Sequence, residues 1–369
     1  MERLIRLYEE FGQSPWLDNL KRGYLTSGQL ASLRDGGIRG LTSNPTIFQK
    51  AIADSTEYDE QFRTLTGDSG PVVDDYWTLV TADIDDACDV FDPVYEASDG
   101  RDGFVSVEVA PDLAHDSDGT EAAARGLHER IARRNLMVKI PATAAGIAPI
   151  RQMLSEGRNT NITLIFSLER HQEVMEAYLD GLEAYAETDG ADLTKVASVA
   201  SFFVSRVDTE VDRRLDAIGT EEALALRGKA ALAQAKLAYR QFRTTFSGPR
   251  WEALAARGAC VQRPLWASTS TKNPEYPDTL YVDELIGPHT VNTLPDATIE
   301  AFADRGTLSR RVDADLDEAE AVWGRLGEVG VDMADVADTL EREGVASFQK
   351  SFTELLDALQ AKAAELSER

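Results

Sequence analysis

Eight short runs of apolar and β-branched residues alternate with longer segments of helical period, and this alternation constrains the fold more than any other feature. The runs cover residues 14–19, 38–46, 103–109, 135–143, 161–166, 195–204, 259–268 and 288–295. Strands that alternate with helices predict a parallel sheet with crossover helices. Helices are expected at the N-terminus, over 20–34 before the Gly36-Gly37 stop, within 47–100, and over 120–134, 146–156 and 168–186. A long helical tract to Thr245 follows the sixth run, and a final helix to Arg369 carries an apolar stripe of Val345, Phe348, Phe352, Leu355, Leu356 and Leu359. Two local signals are read from proline: Pro141 forces the chain out of the fourth run into a loop, and Pro264 gives the seventh a bulge. The expected class is α/β, a closed parallel barrel forming one domain over 1–369. Its extra helices lie at the N-terminus, between strands 2 and 3, after strand 6 and at the C-terminus. An open doubly wound sheet lacks support, because no Gly-x-Gly-x-x-Gly follows any of the runs.

Charge narrows the partners. With 38 Lys+Arg against 64 Asp+Glu the net charge is −26, so nucleic acid and anionic membranes are poor partners and any phosphate site must be local. The two cysteines, Cys88 and Cys260, have neither metal-ligand nor disulfide-framework spacing, and the four histidines have no metal-site spacing. No metal is expected. No run is long enough to cross a bilayer, which leads to a cytoplasmic expectation.

The fourth run, Asn135-Leu136-Met137-Val138-Lys139-Ile140-Pro141-Ala142-Thr143, holds one lysine among apolar residues. A buried lysine is rare unless paired, and burial favours the neutral amine that can attack a carbonyl and form a Schiff base. The ordinary alternative is a lysine that snorkels to the rim. In a parallel barrel the active site lies at the C-terminal strand ends. There the chain places Asp18, Asn44, Glu108, Lys139, Asn161 with Thr163, Ser201 with Arg206, and Ser268. Each also has a plain structural reading: Asp18 as a helix cap, Asn44 as a turn residue before proline, Glu108 as a surface carboxylate. Taken together they supply what a lysine nucleophile needs, carboxylates to move protons and neutral donors to hold sugar hydroxyls. Histidine is missing from these ends except His289 at the start of the eighth run, which disfavours a Ser-His-Asp hydrolase.

Four ordered segments, 40–46 (GLTSNPT), 136–143 (LMVKIPAT), 161–167 (NITLIFS) and 201–206 (SFFVSR), closely resemble the transaldolases, as do Trp16-Leu17-Asp18 and 267–272. The resemblance runs from about residue 14 to about residue 300. It implies a (β/α)8 TIM barrel and Schiff-base transfer of a dihydroxyacetone unit. The donor would be sedoheptulose 7-phosphate and the acceptor glyceraldehyde 3-phosphate, with no organic cofactor. By the same resemblance Lys139 is the Schiff-base lysine, Glu108 and Thr163 hold a catalytic water, and Asp18 takes the C4 hydroxyl proton. Asn44, Asn161 and Ser201 would bind the retained three-carbon unit, and Arg206 and Ser268 the phosphate. Phe203 matches an aromatic near the lysine that keeps the pocket dry, although it reads equally well as a core residue.

One position departs from the family pattern. Where the main branch has an arginine two residues after the serine matching Ser268, this chain has Ser270, and the next cation is Lys272. Lys272 is therefore the candidate for a second phosphate contact, or else an exposed loop lysine. Two other functions stay open: a fructose 6-phosphate aldolase, whose branch is expected to use a tyrosine where this chain has Glu108, and a non-catalytic barrel that binds sugar phosphates. The assembly expected is a monomer or homodimer.

Overall fold

A computed structural model of the chain describes residues 1–53, 55–65 and 71–367. Eight parallel strands close in chain order: β1 (Gln13–Leu17), β2 (Leu41–Thr42), β3 (Val105–Glu108), β4 (Leu136–Pro141), β5 (Thr160–Ile165), β6 (Ser198–Phe203), β7 (Arg263–Ala267) and β8 (Thr290–Leu294). β8 pairs back to β1 along its whole length, from Gln13 opposite Thr290 to Leu17 opposite Leu294. This is the expected (β/α)8 TIM barrel. Helices at Glu2–Phe11, Pro45–Ala53, Asp59–Leu65, Val72–Ala97, Ser205–Ile218, Ala230–Thr245 and Met333–Ser367 fill the expected extra positions. Parts of the expected helical stretch 47–100 (residue 54 and residues 66–70) and the end of the last helix at 368–369 lie outside the described residues.

Most runs were expected too long, because apolar residues continue past the last ladder bond. β2 shrinks to two residues between Gly40 and Pro45. A Cβ at Gly40 would lie 2.6 Å from the Trp16 ring, so that close approach requires glycine. The start of the sixth run is a 3-10 turn, Leu193–Lys195, rather than strand.

Both proline readings need correcting. Pro141 is the last residue of β4, opposite Thr163, and the loop begins after it. Pro264 sits in a regular ladder opposite Ala200, and pairing with β8 begins only at Leu265, so the missing N–H forfeits no bond on that side. The irregularity lies instead in β5, where the register shifts between Ile162 and Ile165 and Leu164 adopts a left-handed φ of 59°.

Helices break where the chain turns left-handed. The segment 20–34 divides into Arg22–Thr26 and Gln29–Asp35 at Gly28, whose φ is 76°. The tract to Thr245 is interrupted at Gly219 and Gly228, with φ of 72° and 69°. The helix expected over 120–134 runs instead from Ser117 to Ile131, capped by the Asp116 side chain, which accepts from the Gly119 N–H. In the last helix Val345, Phe348, Phe352, Leu355 and Leu359 are buried as expected, whereas Leu356 is only partly so. No helix among the described residues is long and apolar enough to cross a membrane.

Candidate active site

Register decides which side chains meet. Glu108 stands opposite Lys139, and Lys139 opposite Asn161, so a carboxylate, an amine and a carboxamide lie side by side on β3, β4 and β5. Thr163, two residues beyond Asn161 and before the left-handed Leu164, keeps to the same face of the strand. All four are buried. Lys139 Nζ lies 3.1 Å from Glu108 Oε2 and donates to the Ser43 carbonyl at 3.1 Å. Beyond that ion pair the Glu108 oxygens have no hydrogen-bond partner among the described residues, and neither does Thr163 Oγ1. Burial pushes the Glu108 carboxyl above the usual carboxylate range, Lys139 and Arg206 pull it back, and Asp18 adds to the rise.

A cavity of about 520 Å³ opens above this floor, a volume suited to a small metabolite. Lys139 and Thr163 line it together with Asp18, Asn44, Ser201, Phe203, Arg206, Ser268 and Lys272. Glu108 and Asn161 do not line it; they stand behind the residues that do.

Each wall residue is held by neighbours. Asp18, just past β1, accepts from Thr42 Oγ1 at 2.9 Å. Asn44 faces the cavity and also caps the Pro45–Ala53 helix, its Oδ1 accepting from the Ile47 N–H at 3.0 Å. The plain reading of this residue and the functional one are therefore compatible. Ser201 Oγ donates to Asn161 Oδ1 at 2.7 Å, and Asn161 Nδ2 donates to Ser106 Oγ at 3.0 Å, which engages both ends of the carboxamide. The Phe203 and Phe166 rings lie 5.0 Å apart.

The cations gather at one side of the mouth. Arg206, in the first turn of the Ser205–Ile218 helix, lies 5.2 Å from the Phe203 ring and 5.9 Å from that of Phe348. Burial lowers its pKa, although Asp18 and Glu108 oppose the shift. Ser268, at a φ of 57°, places its Oγ 2.9 Å from Ser205 Oγ. Lys272 is exposed at the rim and donates to Ser270 Oγ at 2.7 Å; burial of its amine, then the nearby Arg206 charge, lowers its pKa.

The irregular loop that carries Ser270 and Lys272 is tied to the helix that carries Arg206. Tyr276 Oη donates to Asp212 Oδ2 at 2.5 Å, and Tyr281 Oη to Asp208 Oδ2 at 2.7 Å. Burial raises the Asp208 pKa to about 6, against the Ala231 N–H and Tyr281 bonds that hold it down.

Several residues at the site escaped the sequence reading. Thr42, Ser43 and Ser106 support Asp18, Lys139 and Asn161, and all three sit in strand-end runs that could have flagged them. Lys50, Ser270, Ser347 and Phe348 also line the cavity. Phe348 had been read only as part of a core stripe. The described residues gather no His/Cys/Asp/Glu group able to hold a metal ion.

A family model described as transaldolase/fructose-6-phosphate aldolase matches residues 15–359. The chain is 53% identical over 350 residues to a transaldolase of Parafrankia sp. (strain EAN1pec), covering 94% of this chain and 95% of that one. To a transaldolase of Thermobifida fusca (strain YX) it is 54% identical over 356 residues, 96% of each chain. To one of Mycolicibacterium smegmatis (strain ATCC 700084 / mc(2)155) it is 50% identical over 353 residues, 95% of each.

Proposed function

The chain belongs to the transaldolase/fructose-6-phosphate aldolase family and is a transaldolase, and from that premise we propose that Lys139 carries the transferred dihydroxyacetone unit as a Schiff base. The observation that carries this reading is the buried amine at the cavity floor, 3.1 Å from a carboxylate whose proton affinity burial has raised. Glu108 takes the ammonium proton, freeing Lys139 to attack the ketone carbon of the donor sugar phosphate. It then returns a proton, through water shared with Thr163 Oγ1, to the carbinolamine hydroxyl, which leaves as water. The resulting iminium withdraws electrons from the C3–C4 bond. As Asp18 removes the C4 hydroxyl proton, that bond breaks, the aldose departs and an enamine stays on Lys139.

Retention of the enamine is what separates transfer from simple cleavage. Asn44 and Ser201 face the three-carbon unit, with Asn161 acting through Ser201 because both ends of its carboxamide are engaged. Phe203, packed on Phe166, limits water at the bond to be broken. The distal phosphate lies at Arg206, Ser268 and Lys272. A cytoplasmic setting fits the two free thiols, Cys88 and Cys260.

Borohydride reduction in the presence of fructose 6-phosphate tests the covalent step. The expected product is a three-carbon adduct on the Lys139 peptide, with turnover that depends on erythrose 4-phosphate as acceptor. An unmodified Lys139 peptide would refute the mechanism, and equal turnover without acceptor would assign the chain to the aldolase branch instead.

A further inference from the structure

Arginines of this acidic chain are heavily engaged by carboxylates. Arg133 pairs with Asp85 and Asp89, Arg134 with Asp92, and Arg250 with Glu176, Asp180 and Glu183. Acids outnumber bases 64 to 38, so a side-chain cation near the surface has partners at hand. Yet Arg206, Lys272 and Lys50 line one cavity, and none of the three forms an ion pair among the described residues. The same wall includes Asp18 and Asp296, which bond instead to Thr42 and to Asn19 and Tyr24. The cations sit within electrostatic reach of one another, because Arg206 and Lys50 both depress the Lys272 amine. Asp18 offsets this repulsion only in part, at Arg206 and at Lys272, and an anion that joined the cations would relieve the rest.

We propose that Lys50 is the third cation of the phosphate grip, joining Arg206 and Lys272. This rests on the sugar-phosphate reading of the cavity and adds a residue to it. The Pro45–Ala53 helix makes the assignment specific. Asn44 caps that helix at the end read as holding the three-carbon unit, and Lys50 lies six residues on, a rise of about 9 Å at 1.5 Å per residue. An extended six-carbon sugar with its phosphate has a comparable length. One helix therefore gauges the donor, its start at the ketone end and its second turn at the phosphate.

Kinetics of Lys50→Ala and Lys50→Gln, with Lys50→Arg as the conservative control, test the assignment. Lys50 is exposed, so the thermal midpoint should not move. Loss of one charge-assisted contact predicts that KM for fructose 6-phosphate and for erythrose 4-phosphate rises by roughly tenfold to hundredfold, with kcat nearly unchanged. Inhibition by inorganic phosphate should weaken in parallel, and Lys50→Arg should recover most of both. With fructose 6-phosphate saturating and unphosphorylated glyceraldehyde as acceptor, the KM for the aldehyde should match the parent's. Unchanged KM values, or an equal rise for glyceraldehyde and its 3-phosphate, would overturn the proposal. Borohydride trapping on the parent Lys139 is run alongside: an adduct there with unchanged Lys50 kinetics sinks the grip alone, whereas no adduct sinks the reading on which it rests.

Discussion

Asp102 and Glu108 are both buried carboxylates at the two ends of β3, and their surroundings differ in kind. Asp102, below the strand, accepts from Ser14 Oγ at 2.5 Å, Trp16 Nε1 at 3.0 Å and Arg39 Nε at 2.8 Å, with Arg263 at 3.5 Å. Glu108, at the top, has one ion pair and no other hydrogen-bond partner among the described residues. The lower end turns its charges on one another, so that removing any one of them would leave the others uncompensated. The upper end leaves Glu108 and Thr163 underpartnered, and Arg206, Lys272 and Lys50 without an ion pair, among the described residues. Residue types of the same kind thus make a structural knot at one end and a reactive surface at the other, the difference being whether the partners belong to the chain or to a substrate.

The contrast is sharpest if Glu108→Gln and Asp102→Ala fail in opposite ways. For Glu108→Gln, kcat should drop about 10²- to 10⁴-fold, as expected on losing a general acid–base, while urea unfolding shifts less than in Asp102→Ala, because the isosteric amide oxygen still accepts from Lys139 and leaves no cavity. Asp102→Ala should instead lose roughly 3–5 kcal/mol of stability, because Arg39 and Arg263 are left without their buried counter-charge. Its kcat per folded molecule should match the parent. Finding the activity loss in Asp102→Ala, or the unfolding in Glu108→Gln, would dissolve the distinction between the two ends.

Asp208 probes the boundary between them, being buried like Asp102 but bound to Tyr281, in the short helix Leu280–Asp283 that follows the loop carrying Lys272. Its folded pKa, about 6, lies above the ordinary carboxylate value, so the folded chain holds a proton that the unfolded chain has released. Stability from this group therefore falls as pH rises from about 4 to about 6, by up to roughly 3 kcal/mol at 1.4 kcal/mol per unit, and is flat above. Asp208→Asn should remove that slope in denaturant titrations at a series of pH values. A slope that persisted in the variant would mean that Asp208 is ionised in the folded chain throughout.

The barrel and the central trio were legible because period and spacing are local properties. The helix–strand alternation fixed the topology, and similar strand-end positions put Glu108, Lys139 and Asn161 at one level. Breaks at Gly28, Gly219 and Gly228 were missed because apolar spacing runs on through a residue that adopts a left-handed φ. Pro264 misled because its effect depends on where the neighbouring ladder begins, a property of β8 rather than of β7. Lys50 could not be read at all: its residue type fits any exposed helix face, and only its place in the cavity wall distinguishes it. Phe348 was placed in the right environment for an incomplete reason, since a buried stripe on one helix does not reveal that part of it faces Arg206.

That last helix, Met333–Ser367, brings Ser347 and Phe348 to the cavity and fastens Ser351 Oγ to Thr46 Oγ1 at 2.8 Å. Lys139, Glu108 and Arg206 all precede this wall in the chain. Without Ser347 and Phe348 one side of the cavity above Lys139 would stand open to bulk water.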